Sequence, residues 1–122
     1  MGFNFIKKYL FLLIFSICFS QLFNINHHGV NRTYYVSSSN NPLDSSPLII
    51  NMHGFGMTAL DEYQYTEMDY YAHPENIIVV YPQGINNSWN VGTYWDSNTS
   101  DDVDFINVII DEIIVSFVEK IV

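Results

Sequence analysis

Beyond its first twenty residues the chain alternates between short apolar runs and stretches whose apolar positions recur at helical spacing. Val30 to Ser37 (VNRTYYVS) is rich in β-branched and aromatic residues and predicts a strand. The run Ser37 to Pro47, with its serines, asparagines and two prolines, ends that strand in a surface loop. Leu48 to Met52 is almost continuously apolar, the pattern of a strand covered on both faces in a parallel sheet. Thr58 opens a helix of about fifteen residues: its hydroxyl can cap exposed N–H groups, Asp61 and Glu62 suit the positive end of the dipole, and Pro74 stops it. Ile77 to Tyr81 (IIVVY) predicts the next buried strand, and Pro82-Gln83-Gly84 turns it into a polar loop, Ile85 to Ser100. A last helix spans about Asp102 to Glu119, with Val103, Ile106, Ile109, Ile110, Ile113, Ile114, Phe117 and Val118 at spacings of three and four.

Strand, strand, helix, strand, helix predicts an α/β fold: a parallel sheet with flanking helices, reached by βαβ crossovers. Three such strands would leave an apolar edge and an uncovered helix stripe, so the pattern predicts the N-terminal part of a larger domain.

Residues 1–20 read as a signal peptide. Lys7 and Lys8 give a basic start, Tyr9 to Phe19 is an apolar stretch of eleven, and Cys18 and Ser20 stand at −3 and −1 of a cleavage after Ser20. Eleven apolar residues fall short of the roughly 20 that span a bilayer, so no stable anchor is expected once the signal is removed. Ile17 stands where a lipidated Cys18 would want a small residue before it. The expected location is secreted, extracellular or periplasmic. Residues 21–122 then carry Arg32 and Lys120 against thirteen acids, a net charge of −11. Such a surface has no basic patch to release counterions from a phosphate backbone, which excludes nucleic acid as a partner. The one cysteine leaves with the signal, removing disulfide and thiolate chemistry from the mature segment.

Where the apolar run Leu48 to Met52 ends, the chain reads His53-Gly54-Phe55-Gly56. A His-Gly-x-Gly turn at a strand end aims backbone N–H groups at a point where negative charge develops on an attacked carbonyl oxygen. Nothing after it reads Gly-x-Ser-x-Gly, the strained elbow that presents a nucleophilic serine.

The order of motifs resembles secreted members of the α/β-hydrolase fold related to polyhydroxybutyrate depolymerases and to feruloyl and acetylxylan esterases. Arg32-Thr33-Tyr34-Tyr35 is similar to that family's opening strand, Leu48 to Gly56 to its strand into the oxyanion turn, and Val79 to Gly84 to its second parallel strand with a Tyr-Pro-Gln-Gly exit. Trp89-Asn90 followed by Asp101-Asp102-Val103-Asp104-Phe105 resembles its tryptophan loop and helix start, so the resemblance covers about residues 30 to 118. Asp104 departs from it, standing where the family has a small residue. The resemblance implies a serine hydrolase of carboxylic esters, polymeric or small, whose Ser-His-Asp triad is not contained in this segment. The segment alone is expected to be inactive.

On this reading Phe55 donates its backbone N–H to the oxyanion, Gly54 and Gly56 permit the turn, and His53 orients the loop rather than acting as a base. Trp89 and Trp95 either line a substrate cleft or cover the sheet edge. Ser88, Ser97 and Ser100 lie in the polar loop outside any activating elbow. His27 and His28, next to the signal, are expected to be mobile, and His73 to end a helix. Asp96 to Ser100 mimics the alternating oxygens of a calcium loop, but Asp101 replaces the sixth-position glycine and Asn107 the twelfth-position glutamate. Asp101, Asp102 and Asp104 are therefore expected to cap and compensate the last helix, with no metal or cofactor. Asn31, Asn86 and Asn98 head glycosylation sequons. The alternative function is a secreted, non-catalytic binding module using the Trp89/Trp95 loop, which the continuation of the reading frame would decide.

Overall fold

The computed structural model describes residues 20–39, 42, 45–92 and 98–118; residues 1–19, Trp95, Ser97 and Lys120 lie outside them. The first strand, β1 (Ser20–His27), precedes β2 (Val30–Ser37), and the two form a hairpin closed by His28 and Gly29. Both turn residues have positive φ, 52° and 81°. That pair of conformations matches the strand twist of a two-residue antiparallel hairpin. β1 alternates Asn24, Asn26 outward with Ile25, His27 inward, a half-buried pattern.

Next come β3 (Leu48–Ile50), α1 (Ala59–Thr66), α2 (Met68–Ala72), a 3₁₀ turn at His73–Glu75, β4 (Ile78–Pro82) and α3 (Asp102–Val118). The sheet order is β1-β2-β4-β3, with β2 antiparallel to both β1 and β4 and only β3 parallel to β4. This corrects the expected α/β-hydrolase architecture. The sheet is mixed and mostly antiparallel, because β1 pairs through a tight hairpin and β4 then joins β2 head to tail.

β4 is buried along its whole length. Ile78 and Val80 face a core made with Ile25, Tyr34, Phe105, Ile109 and Ile113, while Val79 and Tyr81 face Ala59 and Ala72. Strand alternation thus delivers one set of side chains to α3 and the other to α1 and α2.

Thr58 caps α1 with a capping box: its hydroxyl accepts from the Asp61 N–H, and Asp61 accepts from the Thr58 N–H. The fifteen-residue helix expected from Thr58 is broken at Glu67, which adopts a left-handed φ of 46°. Before the break, the Thr66 hydroxyl donates back to the Glu62 carbonyl and accepts from Asn51 Nδ2, tying the helix end to the strand exit. The buried stripe of α3 is also rotated from the expected one. Phe105, Ile109 and Ile113 are inside, whereas Val103 and Ile114 are exposed. A helix apolar on most sides does not announce its face, and here the burial of Asp102 sets it.

Candidate functional site

Past β3 the Asn51 N–H still donates to the Val80 carbonyl at 2.8 Å, after which the chain leaves the sheet. His53 is 2 % exposed, and Gly54, Phe55 and Gly56 stand at the surface. The Gly84 N–H donates to His53 Nε2 at 2.9 Å, which puts the ring proton on Nδ1, 2.8 Å from the Gly54 carbonyl it donates to. The imidazole is therefore committed at both nitrogens to backbone. Trp89 Nε1 donates to the His53 carbonyl at 2.9 Å, and the indole lies against the imidazole with centroids 4.9 Å apart. The Gly56 N–H donates to Asn87 at 2.8 Å and the Met57 N–H to Gly54 at 3.1 Å, closing the turn.

Gly56 needs its glycine, with φ at 80°, but Gly54 does not: among the described residues a Cβ there would meet only Met57 Sδ, at 3.4 Å. The sterically demanding glycine is Gly84. A Cβ on it would sit 2.2 Å from the Ser88 carbonyl oxygen, so only glycine lets this strand exit reach under His53. Gln83 completes the support: its Oε1 accepts from the Ala59 N–H at 2.8 Å and its Nε2 donates to the Gly84 carbonyl at 2.9 Å. The sequence marks Gln83 and Gly84 as a turn and as the end of a Tyr-Pro-Gln-Gly strand exit, but not as the support of His53. The local signal was their position directly after a buried strand.

Trp89 is half-buried and packs against the Phe105 core, with its N–H spent on His53. Trp95 lies outside the described residues. Ser88 is buried, donating to the Ile85 carbonyl and accepting from Asn98; the Ser100 hydroxyl is bound to Asn98 and Asp102. Ser97 is not among the described residues. Asn98 is 4 % exposed with its amide on Ser88, so this sequon is enclosed in the folded chain while Asn31 and Asn86 are exposed.

One serine, histidine and aspartate do converge. The Ser37 hydroxyl donates to Asp69, and its oxygen lies 3.1 Å from His73 Nε2. The proton order is opposite to that of a nucleophile, because the hydroxyl proton goes to the carboxylate and the oxygen is left to accept from the imidazole. Ser37 is fully buried, and Asp69 also accepts from the Tyr81 hydroxyl at 2.7 Å. Burial and then Asp69 push the Tyr81 hydroxyl well above the ordinary tyrosine range. This is a clasp between the sheet and α2, with His73 capping α2 as its helix-end position predicts.

Three polar residues depart from their expected roles. Arg32, counted above only as a charge, is buried and pairs with Asp102, with its guanidinium 3.6 Å over the Phe105 ring. Asp102 is therefore an ion-pair partner as well as a first-turn acid, and it also accepts from the Asn90 N–H. His27, expected to be mobile, is 6 % exposed at the end of β1 and bonded to Asp104 at 2.8 Å. Asp101 does cap α3, accepting from the Asp104 N–H.

No protein-family model matches the chain, and no curated protein matches it. Among the described residues, no helix is long and apolar enough to cross a membrane.

Proposed function

We propose that this chain carries the oxyanion-side turn of a secreted serine hydrolase of carboxylic esters, with the nucleophile and its base supplied from outside the described residues. The supporting observation is the exposed Gly54-Phe55-Gly56 turn locked from beneath by His53, whose two ring nitrogens both hold backbone. An oxyanion site acts through dipoles fixed before the reaction, so that they need no reorganisation as charge develops. A turn pinned by Gly84, Trp89 and Asn87 meets that requirement. In this reading the Phe55 N–H is the donor and the Phe55 side chain, exposed, borders the acyl group.

The test is p-nitrophenyl acetate and butyrate turnover by the product of the intact coding region. Phe55→Ala keeps the backbone donor and Phe55→Pro removes it. Turnover persisting in Phe55→Ala and falling by about 10²-fold or more in Phe55→Pro supports the reading. Equal turnover in the two variants, or no ester cleavage by the intact product, overturns it.

A further inference from the structure

The tip of the β1–β2 hairpin brings together side chains that a regular strand would keep apart. Consecutive strand residues point to opposite faces. His28, however, sits at a φ of 52°, and its imidazole stacks on that of His27 with centroids 4.1 Å apart and planes 18° from parallel. Asp104, in the first turn of α3, reaches both rings. Its Oδ2 lies 2.8 Å from His27 Nε2 and 3.4 Å from His28 Nε2, and the ligand atoms of all three residues fall within 4.8 Å of one another. A tetrahedral ion bound at about 2.0–2.1 Å holds its ligand atoms about 3.3 Å apart, so only small side-chain rotations separate this arrangement from a coordination shell.

We propose that His27, His28 and Asp104 bind a first-row transition dication, Zn²⁺ before others, and so tie the hairpin tip to the start of α3. Two imidazoles and one carboxylate are ligands such ions prefer over the hard cations Ca²⁺ and Mg²⁺. His27 is held in the core, with its ring 5.7 Å from Phe105, and supplies the fixed ligand. The side chains of His28 and Asp104 are 67 % and 46 % exposed, which leaves water room for a fourth position. The His27–Asp104 hydrogen bond by itself accounts for those two residues but not for the placement of His28. The positive end of α3 opposes a cation, and Asp101 and Asp102 offset it, although Asp102 spends its charge on Arg32. This site is independent of the ester-hydrolase reading.

The test is calorimetric titration of tag-free, EDTA-treated protein with ZnCl₂ alone, alongside His28→Ala and Asp104→Asn. The expected result is one ion per chain, weakened about tenfold or more in each variant, and a rise in Tm with Zn²⁺ that His28→Ala lacks. Because His28 is exposed, His28→Ala should keep the parent's circular dichroism, and its own metal-free Tm is the baseline from which the effect of Zn²⁺ is read. Absence of one-to-one binding overturns the proposal, as does binding unchanged in both variants or CaCl₂ binding as tightly as ZnCl₂.

Discussion

Arg32 and Asp102 meet as a buried ion pair, Nη2 to Oδ1 at 2.7 Å, and join the second strand to the first turn of the last helix. The guanidinium Nε and Nη1 are buried without a hydrogen-bond partner among the described residues, and the Phe105 ring lies against the charge instead. A pair so desolvated is costly to form and more costly to break from one side.

Asp102→Ala strands the Arg32 charge in the core and should destabilise the fold by about 3–5 kcal/mol. Joint replacement of Arg32 and Asp102 by leucine should recover most of that loss. Urea denaturation of the three proteins checks both, and a double replacement no better than Asp102→Ala would contradict the account.

Gly84→Ala should cost about 1–3 kcal/mol or more, because its Cβ is driven into the Ser88 carbonyl and away from the contact with His53. Gly54→Ala should stay within about 0.5 kcal/mol of the parent, since its Cβ meets the Met57 side chain at an ordinary contact distance of 3.4 Å. Thermal melts of the pair measure how unequal the two turn glycines are.

Tyr34 has its hydroxyl pushed up to about 12, by burial first and then by the Glu112 charge and hydrogen bond. The folded state therefore keeps a proton that the unfolded chain releases near 10. This contribution to stability is intact below about pH 10 and is lost as pH rises toward 12. Tyr34→Phe should flatten the alkaline limb of the stability profile, and tyrosinate absorbance should show Tyr34 and Tyr81 ionising above the ordinary tyrosine range.

Asp61 moves the other way, held below the ordinary carboxylate range by the Thr58 backbone N–H and then the Thr58 hydroxyl. Its stabilising effect is present above pH 3.8 and disappears as pH falls through the lowered value. Parent and Asp61→Asn should thus differ near neutrality and converge in acid, as followed by helical ellipticity.

Ile109→Ala, in the centre of the α3 face, should cost about 2–5 kcal/mol. Exposed Val103→Ala should cost little, and the contrast tests which face of the helix is buried.

The bounds of β2, the Thr58 cap and the start of α3 at Asp102 could be read from propensity and capping signals, which act over a few residues. The pairing direction could not. Leu48 to Ile50 and Ile78 to Tyr81 look alike as apolar runs whether their neighbours are parallel or antiparallel, and the hairpin that decides the matter lay in residues read as trailing the signal. Its alternation from Leu22 to His27 and its His28-Gly29 turn were legible by the same rules. Arg32 was not, because a charge buried by a partner seventy residues away leaves no local trace. In the candidate site, the His-Gly-Phe-Gly turn was visible as a motif, while its support by Gly84 and Gln83 required the sheet that brings β3 and β4 side by side.

The hairpin at the start of the chain also orders events in time. β1 finds β2 across two residues, but Ser37 meets Val79 only after more than forty further residues have been made. Loop closure over that distance is slow compared with hairpin formation. During synthesis the β2 edge that awaits β4 is therefore an open template, and what it pairs with first, its own later strand or another copy, sets the yield of folded protein.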